Sequence, residues 1–281
     1  MIILDLSQVM IATLMVQLGN HKNAKLDENL LRHMVLNSIR ANKMKFAAEY
    51  GELVIAADGR RSWRKDVYPY YKANRKKARD ASELDWNLIF DSLNRIRDEL
   101  KEFFPYRVIQ IENAEADDVI ASLVKQYNYE KILILSGDKD FQQLQQYPNV
   151  KQYSPVLKKY ITCKDPVLYL KEHIMRGDEG DGVPNFLSAD DTLVTDKRQK
   201  PIYAKKLEHW VQANPMQFCN DDMLRNYKRN QILVDFEYIP RDIEESILVE
   251  YDNQAGKNRS KLFNYFIEFK LRNLVESIND F

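Results

Sequence analysis

The chain of 281 residues has little cysteine, no net charge and no long hydrophobic run, and each shortage excludes a class of protein. Its two cysteines, Cys163 and Cys219, have no CxxC spacing, so neither a disulfide framework nor a zinc site is indicated. No run approaches the ~18 apolar residues that span a bilayer, and the N-terminus lacks the pattern of a signal peptide. These shortages predict a cytoplasmic protein, neither secreted nor inserted in a membrane.

Histidine is also scarce, with four residues in the chain: His21, His33, His173 and His209. None of them stands beside the acidic motifs described below. The sequence therefore gives no support to general-base chemistry by imidazole, and packing or surface positions are the expected roles of these histidines.

Positive and negative residues balance at 42 each, so the chain as a whole has no bulk attraction for nucleic acid or membrane. The distribution is uneven, however, because residues 60–79 carry nine basic residues against Asp66 alone, a local charge of +8. Aromatic residues are interleaved with these cations, namely Trp63, Tyr68, Tyr70 and Tyr71. Rings and cations in alternation suit single-stranded nucleic acid, whereas a solvated surface loop is the alternative explanation.

Four short apolar runs are each followed by carboxylates. They begin at Ile2, Leu53, Val108 and Ile132, and the acids that follow are Asp5, Asp58, Glu115, Asp117, Asp118, Asp138 and Asp140. Such runs followed by helical periodicity predict buried parallel strands, and the carboxyl ends of parallel strands lie at one edge of a sheet. With Asp178 and Asp181 in a later loop, nine carboxylates are expected to converge.

Each acid by itself could be a helix cap, because carboxylates satisfy the free N–H groups of a first helical turn. Capping explains one acid per helix, however, and not the three between Glu115 and Asp118. Two carboxylates about 6 Å apart repel by roughly 3 kcal/mol at an effective dielectric near 20, so an unneutralised cluster would strain the fold. Divalent metal is the natural remedy, and two ions suit phosphodiester hydrolysis.

The pattern predicts an α/β fold with a central, mostly parallel sheet flanked by helices. Residues 1–164 are expected to form the core, with a mobile basic insertion at 60–82, and residues 165–281 a helical lobe that packs on it. Within that lobe, one continuous helix is predicted from Arg259 to Asp280, with an apolar stripe from Phe263 to Ile278.

The motifs in their order resemble the flap endonuclease and 5′-3′ exonuclease family, which has a PIN-like fold, and most closely its T-even bacteriophage branch. The residues that carry the resemblance are Asp5, Asp58, Tyr-Tyr-Lys72-Ala-Asn-Arg75, Glu115-Ala-Asp117-Asp118, Gly-Asp138-Lys-Asp140-Phe and Gly-Asp178-Glu-Gly-Asp181-Gly-Val-Pro. After Pro184 the chain departs from the family pattern, because the usual glycine-rich turn and the following lysine are missing.

The resemblance implies a structure-specific 5′ nuclease with ribonuclease H activity that removes RNA primers and short flaps, using two Mg²⁺ ions with Mn²⁺ as an alternative. The acids that match the first metal are Asp5, Asp58, Glu115, Asp117 and Asp138, with Asp118 acting through water. Those that match the second metal are Asp140, Asp178 and Asp181. Lys72, Arg75, Asp138 and Asp140 match catalytic positions.

A helical arch over the 5′ single strand is also implied, as is a helix-turn-helix around Asp178 that holds duplex phosphates. The nucleic-acid contacts expected from the basic segment are Arg64, Lys65, Tyr71, Lys72, Arg75, Lys76, Lys77 and Arg79. Expected partners are branched or nicked duplex DNA, RNA–DNA hybrids and replication-fork proteins, for a monomeric enzyme. Two alternatives stay open: a catalytically idle nucleic-acid clamp, and a phosphatase with a strand-end aspartate as nucleophile.

Overall fold

The structure, a computed structural model, describes residues 1–19, 26–195 and 197–281, without the side chains at 77 and 78. His21 and the side chain of the predicted contact residue Lys77 therefore lie outside the described part. The strands are β1 (Ile2–Asp5), β2 (Leu53–Ala56), β3 (Arg107–Ile109), β4 (Ile132–Leu135), β5 (Val150–Ser154) and β6 (Lys159–Ile161).

One six-stranded sheet has the order β3-β2-β1-β4-β5-β6, and every neighbouring pair is parallel except β5 with β6. The helices before residue 130 are α1 (Leu6–Leu18), α2 (Glu28–Tyr50), α3 (Arg64–Val67), α4 (Ala73–Asp80), α5 (Trp86–Phe103) and α6 (Ala116–Tyr127). Those after it are α7 (Pro166–Arg176), α8 (Ala204–Trp210), α9 (Asp221–Val234), α10 (Arg241–Asn253), α11 (Leu262–Glu268) and α12 (Arg272–Val275). The predicted fold class, a mostly parallel sheet with flanking helices, is confirmed.

Alternate residues of the central strands face opposite layers, which explains why the strands are apolar throughout. In β1, Ile2 and Leu4 join the core that also contains residues of α1, α2 and α5, whereas Ile3 joins the core formed with α6. Asp5 is paired in register with Ala56, so the carboxyl ends of β1 and β2 lie side by side. This register places the acids after the strands at one edge of the sheet.

The C-terminal part of the chain contributes to both core layers. Ile243 and Ile247 of α10 belong to the same buried cluster as Val119 of α6, while Leu262 and Phe266 of α11 join the opposite layer. None of the described helices is long and apolar enough to cross a membrane.

The basic segment contains two helices, α3 and α4. One expectation about local structure is wrong. The predicted helix from Arg259 to Asp280 is interrupted: Lys270 adopts a left-handed backbone (φ 56°), and the Leu271 N–H bonds back to Phe266 in a helix-ending turn. Between α7 and α8, which begins at Ala204, the described residues form turns, bends and one isolated bridge between Asp178 and Val183, and the implied helix-turn-helix stays a prediction.

The predicted apolar stripe of this C-terminal segment is divided by the same interruption. Phe263 and Ile267 of α11 are exposed by 53% and 54%, whereas Leu271 and Leu274 are buried. The helix turns its other face inward, through Tyr265 and Phe266.

Candidate metal centre and nucleic-acid interface

Asp5 ends β1 and lies in the interior at the edge of the sheet. Its Oδ1 accepts the Gln8 backbone N–H at 3.1 Å, which caps α1, and its Oδ2 accepts the Ser136 hydroxyl at 2.9 Å. Burial raises the pKa of this carboxyl to about 7, and the charges of Asp58 and Asp138 add to the rise. Asp5 is therefore a carboxylate whose ionisation the fold opposes and a nearby cation would favour.

Asp58 follows β2 and, unlike Asp5, is exposed to solvent. Its Oδ1 accepts the Ala116 N–H at 2.9 Å, and its Oδ2 accepts the hydroxyl of Ser7. These contacts connect the end of β2 to the first turns of α1 and α6. The side chain thus lies at the open side of the acidic cluster.

The three acids at the start of α6 have different surroundings. Asp118 is fully buried, and its Oδ2 accepts the Glu115 backbone N–H at 2.8 Å as part of a capping box. Asp117 makes no such capping contact among the described residues, and burial together with Asp138 raises its pKa well above the usual value. The expectation that capping explains only one acid here is wrong, because Glu115 and Asp118 cap the helix jointly.

Arg64 is a buried cation that neutralises part of this cluster. Its Nη1 lies 2.9 Å from Asp118 and 3.2 Å from Glu115, and its Nε donates to the Leu233 carbonyl at 2.9 Å. Only 2% of the residue is exposed, so the predicted role of Arg64 in nucleic-acid contact is wrong. Asp118 also accepts from the Trp63 indole at 3.2 Å. The buried pair of Arg64 and Asp118 is therefore a structural support for the cluster.

Lys72 and Tyr71 connect the acids of α6 to those of the later loop. The Tyr71 hydroxyl lies 2.8 Å from both Glu115 Oε2 and Asp181 Oδ2. The Lys72 ammonium contacts Glu115 and lies 3.7 Å from Asp181. Burial would raise the pKa of Glu115, but Lys72 and Arg64 outweigh that effect and hold it below its usual value. Glu115 is thus ionised and already paired with cations.

Asp138 and Asp140 follow β4. Asp138 caps the 3₁₀ helix that spans Lys139–Gln146, its Oδ1 accepting the Asp140 N–H at 3.0 Å. Burial and the neighbouring Asp140 raise the pKa of Asp138 to about 6. Burial alone would also raise the pKa of Asp140, but His173 and Lys139 hold it below its usual value.

His173 of α7 lies inside the cluster, which sequence analysis did not predict. Its Nε2 is 2.9 Å from Asp140 Oδ1 and 3.8 Å from Asp178 Oδ2, and the residue is 6% exposed. The expectation that no histidine accompanies the acids is therefore wrong. No local signal could have revealed it, because the contact depends on α7 packing against the 3₁₀ helix after β4.

Asp178 and Asp181 belong to a tight loop that closes through paired backbone hydrogen bonds between Asp178 and Val183. Three residues of the basic segment hold this loop. The Lys72 backbone N–H donates to the Asp181 carbonyl at 2.7 Å. The Asn74 side-chain amide donates to the Glu179 carbonyl at 2.6 Å, and the Arg75 Nε to the Gly180 carbonyl at 3.1 Å. Gly182 has φ 72°, and a Cβ there would lie 3.0 Å from the Tyr70 carbonyl, so this close approach requires glycine.

The aromatic residues of the basic segment do not form the predicted stacking surface. Trp63, Tyr68 and Tyr71 are 7%, 3% and 3% exposed, whereas Tyr70 is 38% exposed. The predicted contribution of Tyr71 to nucleic-acid contact is therefore wrong, since a stacking ring must offer a free face. Lys65, Arg75 and Lys76 remain exposed, and Arg79 is half-buried.

A groove opens beside Asp58, between α1, α4 and α5. Its volume is about 730 Å³, and the four arginines among its lining residues are Arg60, Arg75, Arg79 and Arg97. Trp86 and Phe90 form part of an apolar floor, with Arg79 5.7 Å above the Phe90 ring. The groove therefore combines cations with partly accessible rings, the combination expected of a path for single-stranded nucleic acid.

The residues present fit divalent metal. Carboxylate oxygens are the ligands that hard cations prefer, and the raised pKa values of Asp5, Asp117 and Asp138 mark negative charge that the fold leaves incompletely neutralised. A cavity of about 10 Å³, roughly the size of one water-sized occupant, is lined by Asp117, Asp140, Asp178 and Asp181, with Asp140, His173 and Asp178 close enough to share an ion.

Comparison with known proteins identifies both parts of the chain. Residues 15–173 match the sequence profile of the 5′-3′ exonuclease N-terminal resolvase-like domain, and residues 166–281 match that of the T4 RNase H C-terminal region. Ribonuclease H of Enterobacteria phage T4 is 36% identical over 99% of this chain and 95% of its own. The flap endonuclease Xni of Shewanella pealeana is 35% identical over 37% of this chain and 38% of its own.

Solved structures show the same fold. The T5 D15 protein co-crystallised with metal ions superimposes with a TM-score of 0.67 at 16% identity, over 90% of this chain and 98% of its own. The bacteriophage T5 D15 flap endonuclease, in a complex with DNA and metal ions, has a TM-score of 0.64 with the same coverage. The predicted family is confirmed: this chain belongs to the 5′-3′ exonuclease family of nucleases, together with T4 ribonuclease H.

Proposed function

We propose that the protein is a magnesium-dependent, structure-specific 5′ nuclease that removes RNA primers and short 5′ flaps from branched or nicked duplex DNA and RNA–DNA hybrids. The observation that carries this proposal is the convergence of acids from five chain segments at the carboxyl edge of the sheet. Family membership supports the reaction class, and the names of the relatives, ribonuclease H and flap endonuclease, support the substrate class.

The acids divide into two groups that Asp138 connects. Asp5, Asp58, Asp117 and Asp138 surround the ends of β1, β2 and β4 and are assigned to the first metal, with Glu115 beside them. Asp140, Asp178 and Asp181 are assigned to the second, and Asp138 interacts with all three. Asp118 is left out of both sets because its oxygens already serve Arg64, Trp63 and the cap of α6.

Bound magnesium would activate water on one side of the scissile phosphorus and stabilise the leaving oxygen on the other. The chain's own contribution is to orient the phosphate and offset its charge. Lys72 and Arg75 lie above the acids and are paired with Glu115 and Asp181. We assign them to the scissile phosphate, because a phosphate dianion or diester oxygen can replace these carboxylates as the partner of the same cations.

The single-stranded part of the substrate is assigned to the groove beside Asp58. Its arginines would neutralise successive phosphates while Trp86 and Phe90 offer ring faces to bases. The exposed cations Lys65 and Lys76 extend this positive surface along α3 and α4. We assign duplex binding to residues 165–281, whose loop at Asp178–Val183 is already held against the arch residues of the 1–164 core.

The test is cleavage of a 5′-labelled RNA–DNA hybrid and of a 5′-flap duplex, each with Mg²⁺ and with EDTA. Short 5′ products are expected in the reactions that contain Mg²⁺ and not in those that contain EDTA. Asp138→Asn is expected to lose cleavage but to bind DNA at least as well, because one negative charge near the phosphates disappears. Asp165→Asn is the matched control, since Asp165 is an exposed cap of α7 outside the cluster.

Three results would contradict the proposal. Full activity of Asp138→Asn would remove that residue from the metal assignment. Tight binding without cleavage by the wild-type protein would favour an idle clamp. Turnover of a small phosphomonoester alone would favour a phosphatase.

A further inference from the structure

We propose that His173 supplies a nitrogen ligand to the second metal position, so that Asp140, His173 and Asp178 form a mixed nitrogen and oxygen site that binds first-row transition-metal ions more tightly than carboxylates alone would. The inference rests on the proposed metal dependence and extends it to the identity of the ion. It concerns one residue that sequence analysis assigned to packing or surface positions.

The distances suit shared coordination. Two ligands at about 2.1 Å from an octahedral ion are separated by about 3.0 Å when adjacent and about 4.2 Å when opposite. Nε2 of His173 lies 2.9 Å from Asp140 Oδ1 and 3.8 Å from Asp178 Oδ2. The first separation is close to the value for adjacent ligands and the second lies between the two values, so one ion can reach all three atoms after small side-chain movements.

The two closest atoms are buried and form a pair with each other. His173 Nε2 and Asp140 Oδ1 are 2.9 Å apart, and neither atom has a further hydrogen-bonding partner among the described residues. Buried polar atoms in proteins nearly always have partners, and each of these two atoms depends on this single contact. A cation between these atoms would satisfy both.

The neighbouring elements hold the imidazole in this position. His173 is 6% exposed, and the Tyr169 ring stacks on it with ring centroids 5.9 Å apart. The Tyr169 hydroxyl in turn donates to the Lys139 carbonyl at 3.0 Å, which ties α7 to the 3₁₀ helix that carries Asp140. The ring therefore cannot turn away from the acids without disturbing this packing.

Lys139 is the one described cation that competes at the same place, with its Nζ 2.9 Å from Asp178 Oδ2. Its side chain is 51% exposed, so it can exchange this partner for solvent when an ion enters. His173 is enclosed and has no such alternative. An imidazole ligand favours later first-row ions over Mg²⁺, which prefers oxygen and binds nitrogen poorly.

The experiment uses the full chain with Mn²⁺ in pulsed electron paramagnetic resonance, which detects ¹⁴N of an imidazole bound directly to the ion. Wild-type protein is expected to show this coupling and His173→Gln to lose it. His209→Gln, which changes an exposed histidine of α8, is the matched control and should keep it. Circular dichroism before the measurement verifies that each variant is folded, and His173→Asn provides a second variant.

Calorimetry with Co²⁺ and with Mg²⁺ separates a ligand from a purely structural residue. Loss of a nitrogen ligand should weaken Co²⁺ at the second site at least about tenfold while changing Mg²⁺ much less. An equal loss for both ions, or Mn²⁺ bound without ¹⁴N coupling, would overturn the proposal. Flap cleavage by wild type with Mg²⁺, measured in parallel, would show that the proposed nuclease function survives such a failure.

Discussion

Replacing Asp5 by Asn should make the protein more stable when divalent metal is withheld. Asp5 is buried at the end of β1. Its pKa is raised from 3.8 to about 7, first by burial and then by the charges of Asp58 and Asp138. Asparagine keeps the shape of the side chain and removes the charge. The substitution therefore isolates the cost of ionising one buried carboxylate.

The sign and size follow from proton linkage. The native state holds the Asp5 proton up to about pH 7, whereas the unfolded chain releases it near 3.8, so stability falls as pH rises between these values. The full loss is about 4 kcal/mol, of which roughly 3 kcal/mol falls between pH 5 and pH 8. Asparagine has one carbonyl for the two donors Gln8 and Ser136, which costs about 1 kcal/mol. A net gain of about 2–3 kcal/mol is expected at pH 8.

Urea unfolding followed by circular dichroism, in EDTA at pH 5 and pH 8, measures this difference. Asp165→Asn is the matched control, because Asp165 also caps a helix, accepting the Leu168 N–H at 2.9 Å, but is exposed. Aspartate and asparagine cap helices about equally well, so this change should remove a charge without removing the cap. It should leave stability unchanged at both pH values. A less stable Asp5→Asn protein at pH 8, or a gain that does not depend on pH, would refute the reasoning.

Two further predictions concern the cations of the cluster. Lys72→Ala should lower flap cleavage by orders of magnitude without lowering the metal affinity measured by calorimetry. Lys131→Ala, which changes an exposed lysine before β4 at the opposite edge of the sheet from the acids, should cleave nearly normally. Wild-type cleavage by Lys72→Ala would make Lys72 an ordinary surface charge. Arg64→Ala should lower the unfolding free energy by about 3–5 kcal/mol in urea titration, because it leaves the fully buried Asp118 without its ion-pair partner. An unfolding midpoint equal to that of wild type would disprove the structural assignment of Arg64.

The sheet and its acidic edge could be predicted from the sequence because both depend on short-range pattern. Short apolar runs that are followed by Asp5 or that precede Asp138 have few alternatives to buried parallel strands, and parallel pairing brings their ends together. The acids after the strands were thus expected at one edge without any knowledge of long-range contacts.

The roles of neighbouring basic and aromatic residues could not be predicted, because burial depends on the tertiary contacts of each side chain. Arg64 and Lys65 are adjacent in a positively charged segment, yet Arg64 is buried against Asp118 and the Leu233 carbonyl while Lys65 faces solvent. His173 lies far along the chain from Asp140 and meets it only through the packing of α7. A local pattern of charge does not contain that information.

The exposure of each cation also divides the basic residues by what they can do. The Arg64 side chain is 3% exposed, so solvent and substrate cannot reach it, and it stabilises the cluster whether or not substrate is bound. Arg75 and Lys139 are exposed by 48% and 51%, and their ion pairs with Asp181 and Asp178 can exchange at little cost because solvent already competes for them. The Lys72 side chain is 18% exposed, which makes it the most buried of the three cations that can exchange their carboxylate partners. A phosphate entering above the acids would meet Arg75 first and Lys72 last, so Lys72 is the cation whose removal should affect the chemical step most and initial binding least.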